Sequence, residues 1–217
     1  MDGVAFNAGL SKERYFDERG TNEESWIAYS NQLRLMMKYN WKTILEIGPG
    51  NKIVQNYLQE KKKEVATLDI VKELNPTYVG DVRNIPHLIK VDAVACFQVL
   101  EHIPWEDVEQ ALKSIYNAVN RYVFISVPYS ALAFRFHFIF FSKTIIDKSI
   151  HIPIWLKHNI SEEKIQKTQT YHYWEMGRKG TSYTAFKNKL KKYYRVVEEY
   201  QNHNSRFQYY FILEKKK

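Results

Sequence analysis

Short apolar runs rich in branched residues alternate along this chain with stretches whose apolar positions recur at helical spacing. Residues 43–47 read as a first strand. Residues 51–62 then place Ile53, Val54, Tyr57 and Leu58 on one side of a helix, with Lys61 to Lys63 near its C-terminal end, where cations suit the helix dipole. Further strands are predicted at 65–70, 78–79, 92–97 and 122–127, the last ended by Pro128. Between the last two, residues 105–119 carry apolar side chains at 105, 108, 112, 115, 116 and 119, which is helical spacing. A final helix leads into strands at 193–200 and 207–213, joined by the turn-rich stretch 201–205. The pattern predicts an α/β fold: five strands in a βα series, a parallel sheet with helices on both faces, and a closing hairpin.

Two segments fall outside this frame. Residues 1–41, with a helix expected over 24–39, precede the first strand and read as an N-terminal helical cap. Residues 129–182 form an insertion too long for an ordinary connection, and such insertions serve as lids or binding loops, so a substrate lid is expected. Within it Phe134, Phe136, Phe138 and Phe140 alternate as in a strand, while Leu132, Phe136, Ile139 and Phe140 also fit one helical face. With Lys143, Lys148 and Lys157 close by, residues 131–157 could make a peripheral membrane contact. A lid packed on the core, or a dimer contact, is the simpler reading.

A length of 217 residues matches one domain, and 45% hydrophobic with 26% charged residues excludes disordered and low-complexity architectures. The net charge of +8 conceals an asymmetry. Residues 1–120 hold 14 Lys/Arg against 17 Asp/Glu, and residues 121–217 hold 18 against 7. Of 33 aromatic residues, 21 lie in the second part. That half points to an anionic partner: a phosphorylated or acidic small molecule, a nucleic acid or a membrane surface. The single cysteine, Cys96, excludes a disulfide framework and a Cys-rich zinc site, so a reducing cytoplasm is expected. The sequence opens Met1-Asp2-Gly3 without the basic and apolar regions of a secretory leader.

The chemistry concentrates at the first strand-to-helix turn, Glu46-Ile47-Gly48-Pro49-Gly50-Asn51. Glycines there let the backbone approach a ligand closely. Asp69 ends the next strand 19 residues after Gly50, where an acid can accept hydrogen bonds from ribose hydroxyls. Asp81 follows the third strand, where a carboxylate can accept from an adenine amino group. A nucleoside-containing cofactor is the expected ligand. The dinucleotide fingerprint would need glycine at position 53, which is Ile53.

These residues resemble the class I S-adenosylmethionine-dependent methyltransferases, in particular the small methyltransferase type 11 group. The resemblance covers about residues 42–128 and rests on Leu45 to Gly50, Leu68-Asp69-Ile70, Gly80-Asp81-Val82, and 92–103 with Gln98-Val99-Leu100-Glu101-His102. It implies a Rossmann-like three-layer sandwich with a seven-stranded, mostly parallel sheet of order 3-2-1-4-5-7-6, the last strand antiparallel. It also implies S-adenosylmethionine as cofactor. Gly48, Pro49 and Gly50 would contact its methionyl part, Glu46 would shape the turn, Asp69 with Ile70 would hold the ribose, and Asp81 with Val82 would lie beside the adenine. Gln98 would face the sulfonium. The family often has a third glycine where this chain has Lys52.

His102 follows the fourth strand at the rim where the methyl should point, and imidazole has a suitable pKa for a base. A helix-capping or structural role is its alternative. His172 and Glu175 lie in the cluster Tyr171-His172-Tyr173-Trp174-Glu175, which joins a titratable pair to aromatic surface; Trp174 itself reads as packing. No His/Cys/Asp cluster with zinc or iron spacing stands out, so metal dependence is not predicted. The expected activity is methyl transfer to an oxygen or nitrogen of a small or glycan-like, anionic acceptor. Two other classes stay open: an RNA-modifying methyltransferase, and a catalytically silent cofactor-binding subunit that activates a partner.

Overall fold

The computed structural model describes residues 16, 18–141, 143–153, 172–201 and 208–217. Seven strands form one sheet: β1 Thr43–Ile47, β2 Glu64–Asp69, β3 Tyr78–Val79, β4 Val91–Phe97, β5 Val119–Pro128, β8 Tyr194–Gln201 and β9 Gln208–Lys215. Their order is β3-β2-β1-β4-β5-β9-β8. Strands β1 to β5 pair in parallel, and β9 runs antiparallel to both β5 and β8. Counted by the sheet's own strands, this is the expected order 3-2-1-4-5-7-6 with the last strand reversed.

The apolar runs are continuous because both faces of the sheet are buried. Leu45, Val94, Val123 and Phe211 point into one core, while their neighbours Ile44, Ala93, Phe124 and Ile212 point into the other. The first core is closed by α4 Val108–Ala118 and α5 Tyr183–Tyr193, the second by α2 Glu23–Met37 and α3 Ile53–Glu60; α1 Glu18–Thr21 is a single turn. Helix α4 buries Val108, Ala111, Leu112, Ile115 and Ala118, a spacing of three and four that lines one face. It begins three residues later than the apolar spacing predicts, because Pro104 O accepts from Asp107 N in a preceding turn. Two helix starts, those of α2 and α5, are capped by side chains: Asn22 Oδ1 accepts from Ser25 N at 2.9 Å, and Ser182 Oγ accepts from Ala185 N at 3.2 Å.

The described residues before β1 pack α2 onto one face of the sheet. Leu35, Met36 and Trp41 are buried against Ile44 and Phe124, and Trp41 Nε1 donates to Met36 O at 2.8 Å. The insertion begins with β6 Ala131–Phe140 and β7 Lys143–Pro153, an antiparallel pair separate from the main sheet. The alternation of phenylalanines therefore governs, and the helical face is not realised. β-branched Thr144, Ile145, Ile146, Ile150 and Ile152 in the partner strand favour the extended form. Phe134, Phe136, Phe138 and Phe140 are exposed. Residues 202–205 of the expected turn, Lys157 and Tyr171 lie outside the described residues. No helix among the described residues is long and apolar enough to cross a membrane.

Because Ile115 is fully buried between α4 and the sheet, Ile115→Ala is expected to destabilise the fold by about 2–5 kcal/mol in urea denaturation. Leu88, which is 96% exposed, should tolerate alanine within about 0.5 kcal/mol.

Candidate active site

At the carboxyl end of β1 the chain turns into α3 through Gly48 (φ +68°) and Gly50 (φ +55°), a backbone region that disfavours side chains. A Cβ at Gly48 would lie 2.6 Å from Val99 Cγ2, so the turn and the loop after β4 nearly touch. Gly48 N donates to Leu68 O at 2.9 Å, and Pro49 O accepts from Lys52 N at 3.0 Å. Lys52 takes φ +64°, a left-handed conformation that costs a side-chain-bearing residue about 1–2 kcal/mol. Asn51 ties the turn to the N-terminal layer, its Nδ2 donating to Tyr29 Oη at 2.7 Å and Gly20 O at 3.3 Å.

The two acids expected of a nucleoside site stand on the neighbouring strand ends. Asp69 is buried and its Oδ1 accepts from Val71 N at 2.8 Å; burial raises its pKa against the backbone donors that lower it. Ile70 beside it is exposed. Gly80 N donates to Asp69 O at 2.9 Å, which sets Asp81 one strand further along. Asp81 accepts from Arg83 N at 2.7 Å and pairs with the Arg83 guanidinium, which also reaches Asp107 Oδ2 at 2.6 Å. Burial opposes ionisation of Asp81, but the Arg83 contacts outweigh it and hold the pKa low. Asp81 therefore fastens this loop to the N-terminal end of α4, a task its motif did not announce. Val82 is buried in the first core. Glu46 is buried next to the glycine turn with Oε2 lacking any partner, and burial pushes its pKa up to about 8.

The third group forms after β4. With its amide oriented so that both ends find partners, Gln98 (φ +54°) accepts from Ser126 Oγ and Val127 N and donates from Nε2 to Glu101 Oε1 at 3.2 Å. Leu100–His102 is a single 3₁₀ turn in which Glu101 is fully buried with Oε2 unpartnered. Burial pushes Glu101 up to about 7, partly offset by the charge of His172. The insertion closes on this turn: Tyr173 N donates to Glu101 O at 2.8 Å and Trp174 Nε1 to Leu100 O at 3.0 Å. Trp174 packs, as expected, between Trp105 (ring centroids 4.8 Å apart) and Phe186 (5.3 Å).

The closure sets the rings of His102 and His172 5.1 Å apart. Glu175 Oε1 lies 3.1 Å from His172 Nδ1, and its Oε2 accepts from Ser130 Oγ and from Arg178 at 2.9 and 2.6 Å. Burial alone would raise the Glu175 pKa, but the bonds from His172 and Ser130 and the charge of Arg178 hold it at about 2. His102 and the His172–Glu175 pair, flagged separately from the sequence, thus stand together. Glu101, Ser130 and Arg178 join them; of these, only Glu101 carried a signal, as the acid next to His102 beyond a strand end.

A model of the methyltransferase domain matches residues 15–193. This chain belongs to that methyltransferase family. Solved structures with the same fold include N-methyltransferase NodS from Bradyrhizobium japonicum WM9, crystallised with S-adenosylhomocysteine: 10% identity, 94% of this chain and 91% of that chain covered, TM-score 0.61. A SAM-dependent methyltransferase from Archaeoglobus fulgidus is 15% identical over 94% of this chain and all of its own, with TM-score 0.59. Magnesium protoporphyrin IX methyltransferase from Synechocystis PCC 6803, with bound S-adenosylhomocysteine, is 13% identical over 94% of this chain and 97% of its own, with TM-score 0.58. No curated protein matches the sequence significantly. The methyltransferase uses S-adenosylmethionine as its donor. Its residues fit that group: a turn whose first glycine leaves no room for a Cβ, and a buried carboxylate oxygen beside it without a donor.

Between the ordinary 4.5 and about 8, folded Glu46 holds a proton that the unfolded chain has released. This group therefore removes stability as pH rises through that window. Without cofactor, Glu46→Gln is expected to flatten the loss of melting temperature between pH 5 and pH 8. Equal losses in the two proteins would contradict the burial of a protonated Glu46.

Proposed function

We propose that this methyltransferase transfers its methyl group to an oxygen or nitrogen of a small or glycan-like acceptor. The observation that carries this reading is the His102–His172 pair beside Gln98 at the end of β4, next to the glycine turn. In this reading Gly48, Pro49 and Gly50 cradle the methionyl portion, Asp69 and Ile70 take the ribose, and Asp81 and Val82 border the adenine. Gln98 lies by the sulfonium, whose methyl carbon is already activated. The protein's remaining work is to orient the acceptor and exclude water.

The two imidazoles are the groups that meet the acceptor's reacting atom. Glu175 does not take the proton: a carboxylate held at about 2 has no affinity for one at neutral pH, so it positions His172. Residues 129–182 act as the substrate lid, a reading supported by Ser130, His172, Glu175 and Arg178, all of which the insertion supplies. The hairpin and its exposed phenylalanines belong to the same lid.

Several cations of the second half are bound to acids of the fold. Lys187 pairs with Glu199, Lys192 with Glu109 and Arg195 with Glu214, while Arg178 is bound to Glu175. An anionic acceptor is thus supported by the sequence alone, and a phosphate track for RNA has no support from these paired cations.

With methyl-labelled S-adenosylmethionine and separate pools of small metabolites, glycans and RNA, label is expected in a small-molecule or glycan pool. Label entering RNA alone would overturn the acceptor reading. On the acceptor found, His172→Ala is expected to lower turnover by about 10²-fold or more while the cofactor's Kd stays within about twofold.

A further inference from the structure

We propose that Glu101, His102 and His172 bind one divalent transition-metal ion, against which the acceptor's oxygen is held for methylation. The inference rests on the function above and narrows it to oxygen. It also reverses the expectation from residue spacing, because the ligands come from two segments 70 residues apart.

One ligand atom from each of the three side chains lies within 4.8 Å of the others. Ligands about 2.1 Å from a tetrahedral ion stand about 3.4 Å apart, so loading needs the side chains to close by roughly 1.4 Å or less. Two imidazoles with one carboxylate form a donor set that suits zinc, iron, cobalt or manganese better than magnesium, and it leaves positions open for a substrate.

Three independent features point to a cation here. Glu101 is 0% exposed, and while Oε1 takes the Gln98 amide, Oε2 has no donor. A buried carboxylate oxygen left so is costly, and a cation is the partner it lacks. His172 is backed at Nδ1 by Glu175, which leaves Nε2 as its ligating atom; a carboxylate behind a ligating imidazole fixes its orientation and raises its basicity. Glu175 is itself anchored by Ser130 and Arg178, so the imidazole's backing is rigid. Finally, the bonds from Tyr173 N to Glu101 O and from Trp174 Nε1 to Leu100 O hold the two ligand-bearing segments together without the ion.

The open positions would take an acceptor hydroxyl, whose pKa falls on coordination. Its proton leaves to solvent, and an oxygen lone pair forms the new O–CH3 bond as the S–CH3 bond breaks. The pair from the broken bond returns to sulfur, giving neutral S-adenosylhomocysteine and the methyl ether. With the ion in place no imidazole need take the proton, and the two imidazoles meet the acceptor's oxygen through the metal they hold.

The test uses the full chain, stripped with EDTA and dialysed, titrated with CoCl2 by visible spectroscopy and with ZnCl2 by calorimetry. One equivalent per chain is expected, with d–d bands of a nitrogen and oxygen ligand set. His102→Gln and His172→Gln should each weaken binding by more than about tenfold, and Glu175→Gln, which touches no metal, by about 10–100-fold. Both histidines are only partly buried, so these variants stand in should Glu101→Gln fail to fold. Absence of stoichiometric binding, or equal binding by the His102→Gln/His172→Gln double variant, would overturn the site. A parallel titration with S-adenosylmethionine separates the two claims: cofactor bound without metal sinks the metal site alone, and metal bound without cofactor sinks the underlying function alone.

Discussion

No side chain fits between the turn at Gly48 and the loop that follows β4. Val99 would stand 2.6 Å from any Cβ there, and that close approach brings the first strand end against the residues that carry the reacting groups. Parallel pairing of β1 with β4 puts both strand ends on the same edge. Burial of both sheet faces leaves that edge as the place where polar chemistry can gather. Replacing Gly48 would separate the cofactor turn from Gln98, Glu101 and His102 before it touched the cofactor itself.

Around this contact the polar groups divide into those fastened by others and those left open. Asp81 is occupied by Arg83, and Glu175 by His172, Ser130 and Arg178. Glu46 and Glu101 are buried with one oxygen each unserved, on opposite sides of the Gly48–Val99 contact in the sequence. In a folded protein such groups are exceptions that call for a ligand or an ion. Glu46 adjoins the donor's turn, and Glu101 adjoins the His102–His172 pair. In the proposed reading the two unserved carboxylates mark its two halves: donor on one side, acceptor and metal on the other.

Strands were legible because residues such as Ile44 and Leu45, or Ala93 and Val94, are adjacent yet enter different cores, giving unbroken apolar runs. Asp69 and Asp81 were legible as candidates because one ends β2 and the other lies just beyond β3. The segment 131–141 was ambiguous, since its phenylalanines satisfied both periods and only the β-branched partner strand decides between them. Two features had no local signature. The N-terminal helix joins the core through Leu35, Met36 and Trp41, whose partners lie far along the chain. Glu101 and His172 meet across 70 residues through the Tyr173 backbone bond, so spacing rules for metal ligands passed over them. Some cations of the basic half are tied up in pairs such as Lys187–Glu199 and Lys192–Glu109, whose cations lie on α5.

The central claim is that the Gly48–Gly50 turn and Asp69 form a pocket for S-adenosylmethionine. Calorimetric titration of the chain with S-adenosylmethionine and, separately, with NAD tests it directly. Saturable heat at one equivalent is predicted for S-adenosylmethionine and none for NAD, with binding markedly weakened by Asp69→Ala. Heat from NAD alone, or an affinity for S-adenosylmethionine unchanged by Asp69→Ala, would contradict it.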